Sequence, residues 1–206
     1  FAARSLVGES MVKPDLYFHE NTAKTINFVS SLLQNGVNKI VFSSTAATYG
    51  IPEEIPIPEH SPTKPINPYG ESKLMIEKAL YWLEQAYGLK WNSLRYFNAA
   101  GASLDGSIGE DHNPETHLIP LILKTALGQR DAISIFGTDY NTPDGTCIRD
   151  YIHVLDLAEA HIRALEALDN GVESGVYNVG TGKGYSVREV IKMAKKVTGL
   201  DIPVIE

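Results

Sequence analysis

The sequence predicts an α/β fold built on a mainly parallel sheet. Helical and strand patterns alternate along the chain, the strands read as short buried runs, and Gly, Asn-Pro and capping signals punctuate the helices. In order, Phe1-Ala2-Ala3 reads as the end of a strand. Asn21 to Asn35 carries Ala23, Ile26, Val29, Leu32 and Leu33 at helical spacing, with Gly36 as its stop. Lys39 to Phe42 reads as a short buried strand. Ser44 to Ile66 is proline-rich and reads as a long surface loop. Asn67 is a good N-cap and Pro68 suits the first helical position, so a helix is expected over Tyr69 to Tyr87, ended by Gly88. Trp91 to Tyr96 is the next strand, and Asn98 to Thr116 a polar binding loop. A helix (Leu118 to Leu127) and a strand (Ile133 to Phe136) follow. Asp156 and Glu159 sit at capping-box spacing before a helix ending near Asn170-Gly171. Val176 to Val179 reads as a strand. Ser186 and Glu189 form a second capping box for a helix ending at Gly199. Pro203 to Glu206 closes no element, so both ends read as interrupted.

The 206 residues are 43% hydrophobic, enough for one sizeable core or for one domain and part of another. The net charge is −7 and there is no long basic run, which argues against a nucleic-acid partner. The apolar runs are too short to cross a bilayer, and no secretory signal is present. One cysteine, Cys147, excludes a disulfide within the chain and a cysteine-rich zinc site. That fits a reducing, cytoplasmic setting. His112, His117, His153 and His161 are read as lacking metal-site spacing and acidic partners, so no metal site is expected.

The chemistry centres on Tyr69-Gly70-Glu71-Ser72-Lys73. Tyr and Lys four apart share one helix face. An ammonium beside a phenol favours the phenolate, so Lys73 is expected to lower a pKa that starts near ~10. Such a tyrosine can move protons as acid or base. Spacing alone is weak, because with ten tyrosines chance gives roughly 0.7 such pairs. Position strengthens it. The pair opens its helix, and Ser43-Ser44-Thr45 places hydroxyls beyond the C-terminal end of a strand, where open α/β sheets bind ligands.

Ser43-Ser44-Thr45 followed by Tyr69-x-x-x-Lys73 resembles the Ser/Thr-Tyr-Lys set of the extended short-chain dehydrogenase/reductases. Further segments resemble the UDP-glucose 4-epimerase family within it: Phe1-Ala2-Ala3 with Val7 to Ser10, Phe42 to Gly50, Pro68 to Glu77, Leu94 to Ala102, Asp144 to Val154 and Tyr177 to Val187. The related dehydratases carry acidic residues directly after the catalytic Thr; here those positions are Ala46 and Ala47. Dehydration needs an acid for its leaving hydroxyl, so the epimerase is favoured over a dehydratase or reductase. The intact Thr-Tyr-Lys set also disfavours a catalytically silent nucleotide-binding module.

The resemblance implies a Rossmann-like, doubly wound parallel sheet lacking its N-terminal half, with a smaller α/β substrate-binding part. Residues 1–100 would form the later part of an NAD-binding domain. Residues 101–206 would be mainly the UDP-sugar part, with about 133–160 and 176–180 returning to the core. It implies interconversion of UDP-galactose and UDP-glucose through a 4-keto sugar, with NAD as cofactor and a homodimer formed through the Tyr69 helix and the helix near Asn21 to Asn35. Thr45, Tyr69 and Lys73 would be catalytic. Phe1, Ala2, Ala3, Asn21 and Phe97 would join them around the cofactor. Asn98, His117, Leu118, Ser134, Ile135, Phe136 and Arg149 would join Thr45 and Tyr69 around the substrate. Glu20 and Ser5 depart from the family pattern, and there is no Gly-x-Gly-x-x-Gly turn to hold the NAD pyrophosphate.

Overall fold

The computed structural model describes residues 1–206, which divide into two compact units. Phe1–Phe97 with Asp156–Val179 form the first; Asn98–Leu155 with Gly180–Glu206 form the second.

The first unit opens with α1 (Val7–Val12) and α2 (Pro14–Tyr17). A π-helical turn (Phe18–Ala23) runs directly into α3 (Lys24–Gln34). β1 (Lys39–Thr45) and a 3₁₀ turn (Ala46–Thr48) come next. α4 (Pro68–Tyr87), β2 (Lys90–Tyr96), α6 (Val154–Asp169, mostly in this unit) and β6 (Gly175–Val179) complete it. β1, β2 and β6 lie side by side, all parallel, with Thr45 level with Tyr96 and Tyr96 level with Val179.

Side-chain alternation along the strands shows that the sheet is covered on both faces. Phe42 and Trp91 pack with Val29 of α3 and with Ile76 and Leu80 of α4. On the opposite face Asn92 donates to the Ala164 carbonyl of α6 (2.8 Å), and Tyr96 meets His161 of α6. A parallel sheet with helices on both faces is what the element alternation predicts.

The second unit holds β3 (Asn98–Ala100), α5 (Leu118–Ala126), β4 (Ile133–Ser134), β5 (Ile148–His153), β7 (Gly184–Ser186), α7 (Val187–Thr198) and β8 (Val204–Ile205). β3 pairs parallel with β5, β5 antiparallel with β7, and β4 parallel with β8. Its core gathers Ile122, Ile133, Ile135, Ile191 and Ile202. The Ser186–Glu189 capping box is present in both directions, and Gly199 takes a left-handed conformation at the C-terminus of α7.

Several expectations are corrected. Phe1–Ala3 is no strand: with no ladder partner, the Ala3 amide turns back to the Phe1 carbonyl (3.1 Å), and Phe1 is exposed. Asn21 does not open its helix. It lies within the π turn, whose wider coil seats Asn21 and Thr22 against Ser72 of α4. Asp156 does not cap α6, because the helix starts two residues earlier. There the His153 Nδ1 accepts from the Leu155 amide (3.2 Å). The start of the expected Asn98–Thr116 loop is a strand, since β5 is available to pair with it. The expected Ile133–Phe136 strand ends its ladder at Ser134, and Phe136 is exposed.

Candidate active site

The site residues of the first unit are set by two element ends. Thr45 is the last residue of β1 and the N-cap of the 3₁₀ turn, its hydroxyl accepting from the Ala47 amide at 3.2 Å. α4 begins where the sequence places it: Asn67 accepts from the Gly70 amide (2.8 Å), Pro68 occupies the first turn and Gly88 ends the helix with φ +71°. Gly70 lets the helix approach the 3₁₀ turn. A Cβ there would lie 2.6 Å from the Ala47 carbonyl oxygen. This close approach places the Tyr69 phenol beside the Thr45 side chain.

One turn further along, Lys73 is buried and donates to the Ser43 carbonyl at 2.9 Å, its ammonium 5.0 Å from the centre of the Phe42 ring. Burial holds its pKa down at about 8. Tyr69 moves the other way: burial raises its pKa, opposed only by the neighbouring Thr45 side chain. The expectation that Lys73 lowers the phenol's pKa is therefore corrected. The ammonium is directed at a carbonyl of β1, and desolvation of the phenolate dominates. Tyr69 rests as a neutral phenol at neutral pH.

Beneath these residues lies a buried polar network that the sequence reading did not pick out. Glu77, one turn beyond Lys73, receives Arg95 Nε at 3.0 Å and Nη2 at 2.5 Å, and Ser44 Oγ at 2.5 Å. Both charged side chains are 5% exposed. Arg95 lies 4.6 Å from the centre of the Tyr49 ring; Tyr49 donates to Asn178 (2.8 Å), which in turn donates to the Ile57 carbonyl (2.7 Å). Two signals were available for it. Glu77 continues the Tyr69, Lys73 spacing of four, and Arg95 is a charge within a buried strand. A second pair, Tyr96 and His161, lies on the α6 face. His161 Nδ1 donates to the Leu157 carbonyl (2.8 Å), so Nε2 accepts the Tyr96 hydroxyl (2.8 Å).

Asn21 was expected at the cofactor, and its side chain is already engaged. Its oxygen accepts from the Arg4 amide, and its NH₂ donates to the Arg4 carbonyl and to Ser72 Oγ at 2.9 to 3.2 Å. Ala2 and Ala3 are exposed with Phe1, whose ring lies 5.0 Å from that of His161. Phe97 is half-buried, its amide donating to the Val179 carbonyl.

In the second unit Asn98 donates to the Asp150 carbonyl at 2.8 Å. Asp150 turns to Thr181 and Gly182, so it forms no ion pair with Arg149. Arg149 is exposed on β5, Nη1 donating to the Ile148 carbonyl. His117 is the N-cap residue of α5 and Leu118 its first residue, packed against the isoleucine core. Ser134 is half-buried and Ile135 buried.

A parallel sheet covered on both faces, with a hydroxyl at a strand's C-terminal end and Tyr-x-x-x-Lys opening the next helix, defines a protein of the short-chain dehydrogenase/reductase class. Comparison with known proteins narrows this. The profile of the "NAD dependent epimerase/dehydratase family" matches residues 1–180, and the chain belongs to that family. It is 58% identical over 203 residues to a UDP-glucose 4-epimerase of Halalkalibacterium halodurans, covering 98% of this chain and 61% of the relative. The UDP-glucose 4-epimerase of Brucella ovis, solved in complex with NAD, superposes with a TM-score of 0.97 at 46% identity, over 100% of this chain and 63% of that one. That of Bifidobacterium longum, solved with NAD+ and UDP, gives 0.92 at 43%, over 100% and 62%. The chain thus spans about three-fifths of the length of the relatives it matches.

Proposed function

We propose that the protein to which this chain belongs is a UDP-glucose 4-epimerase, interconverting UDP-galactose and UDP-glucose. The observation that carries the reading is the convergence of Thr45, Tyr69 and Lys73 at the end of β1, followed by Ala46 and Ala47. The set can move a proton at one sugar oxygen, and the turn after it offers no acid for expelling a hydroxyl.

NAD is the cofactor of the family, and the nicotinamide-ribose end suits the residues present. Lys73 carries three N–H donors and gives one to Ser43. The others suit a vicinal diol. When bound, NAD supplies a reversible acceptor for the hydrogen at the sugar's C4. To act as the base Tyr69 must first release its own phenolic proton to solvent; the phenolate then takes the proton of the 4-hydroxyl on the outward step and returns it on the way back. Thr45 holds the phenol and the 4-oxygen in one hydrogen-bonded group, and Lys73 orients the ribose. Asn98, His117, Leu118, Ser134, Ile135, Phe136 and Arg149 are assigned to the uridine diphosphate. Arg149 has a guanidinium fork suited to a diphosphate. Holding the substrate by its nucleotide leaves the hexose free to turn over.

No helix is long and apolar enough to cross a membrane, in keeping with the cytoplasmic location we assign. We also assign a homodimer formed through α3 and α4, on which Phe28, Tyr81 and Trp82 stand exposed.

The test is conversion of UDP-galactose to UDP-glucose by the complete protein without added NAD. Turnover that Tyr69→Phe abolishes supports the assignment. Unchanged UDP-galactose even after NAD is supplied, or near-normal turnover by Tyr69→Phe, overturns it.

A further inference from the structure

The segment before α5 gathers four side chains that none of the roles above uses together. His112 Nδ1 lies 2.9 Å from Glu110 Oε1, and His117 Nδ1 lies 2.5 Å from the same oxygen. Glu115 closes the group, with Oε1 3.2 Å from His117 Nδ1 and Oε2 3.9 Å from His112 Nδ1. One ligand atom from each of the four lies within 4.8 Å of every other. The acidic partners that the sequence reading did not find for these histidines are therefore present.

We propose that Glu110, His112, Glu115 and His117 form a binding site for a divalent transition-metal ion of the zinc class. Imidazole and carboxylate are the nitrogen and oxygen donors such ions take. Ligands at ~2.0–2.2 Å from a tetrahedral ion stand about 3.3–3.6 Å from one another. The separations here bracket that spacing, so an ion can be seated with small side-chain movements.

The group has features that a chance surface cluster lacks. The Glu115 side chain is 4% exposed although the segment is otherwise open. Its Oε1 is fixed by the amides of Thr116 and His117 at 2.7 and 2.8 Å, the kind of outer hydrogen bonding that orients a ligating carboxylate. Glu115 thus presents a fixed carboxylate. In addition, both imidazoles turn the same nitrogen to a single carboxylate oxygen, and a cation at their centre would engage all four groups at once.

Four protein ligands leave no open position, so the ion would be structural. It would tie residues 110–117 to the start of α5, because His117 is that helix's N-cap residue. The inference does not depend on the reaction assigned to Thr45, Tyr69 and Lys73.

The test is titration of the metal-free chain with Co²⁺, read by the visible absorption of tetrahedral cobalt, and with Zn²⁺ by calorimetry. One ion per chain is expected. Affinity should fall by about tenfold or more in Glu110→Gln and again in the Glu110→Gln/His112→Gln pair, and persist in Cys147→Ser. The exposed substitutions should leave the circular dichroism spectrum unchanged, and Zn²⁺ should slow amide exchange across residues 110–117. Absence of binding, equal binding by the double variant, or loss of binding in Cys147→Ser would each overturn the proposal.

Discussion

Lys73 offers a direct measurement of what burial does to an ammonium. In the unfolded chain its pKa is the ordinary 10.5; in the fold, burial brings it down to about 8. Above the unfolded value both states are neutral and there is no penalty. Below the folded value both are charged, and the fold bears the full desolvation cost. Between the two the unfolded state binds more protons, so stability rises with pH. The shift corresponds to ~3 kcal/mol at about 1.36 kcal/mol per pKa unit. Lys73→Met removes the titration. Urea unfolding of both proteins from about pH 7 to about pH 11 should show wild type gaining ~3 kcal/mol on the variant, with most of the gain above pH 8. The fixed packing difference between Lys and Met drops out, because only the change with pH is read. Tyr17 and Tyr96, both held at about 12 by burial, weaken both proteins alike at the alkaline end. A stability difference that stays flat with pH, or a Lys73 side-chain NMR titration centred near 10.5, would refute the reasoning.

Other predictions concern the frame around the site. Arg95→Met leaves the buried Glu77 carboxylate without its cation and should cost ~3–5 kcal/mol in urea unfolding, most of it recovered in Arg95→Met/Glu77→Met; a single-variant loss below about 1 kcal/mol would mean the pair is not buried as described. Gly70→Ala drives a methyl into the Ala47 carbonyl and should displace Tyr69 from Thr45. In the complete enzyme a displacement of that kind lowers turnover by about 10²-fold, and wild-type turnover would show the contact yields. Ser186→Ala opens the capping box of α7 and should cost ~1 kcal/mol, read as a melting temperature lower by roughly 2–4 °C. For the homodimer we propose through α3 and α4, Trp82→Glu should shift the molar mass from dimer to monomer in light scattering, and an unchanged mass would overturn that interface.

The parts of this fold legible in the sequence are those fixed by short-range chemistry. Asn67-Pro68 and Gly88 bracket α4, Ser186 and Glu189 cap α7, and apolar spacing marks α3, because each signal lies within a few residues of the element it sets. What was not legible depends on partners far along the chain. β3 exists because β5 pairs with it, the ladder of β4 runs only as far as β8 accompanies it, and the π turn exists where Asn21 and Thr22 meet Ser72 fifty residues away. The same division holds at the site. Thr45, Tyr69 and Lys73 were readable from spacing and from a strand end. The pKa of Tyr69 was not, because it depends on burial and on where the Lys73 ammonium points, and neither is a property of the tetrad. Asp156 shows how a local signal misleads: a capping pattern two residues inside a helix is indistinguishable, by sequence, from one at its start.

The spacing of four along α4 has a consequence for how the protein can change. Tyr69, Lys73 and Glu77 drift by only about 40° per step around the helix, so all three lie on one sector. That sector is pinned by hydrogen bonds to the Ser43 carbonyl, and to Ser44 and Arg95. The helix therefore cannot roll to accommodate a new neighbour. Its opposite sector, which carries Trp82, has no part in these bonds, and substitution there does not propagate to the tyrosine. Surface variation and chemistry are mechanically insulated from each other on a single helix, so lineages of this protein can acquire new contacts along α4 without retuning the reaction.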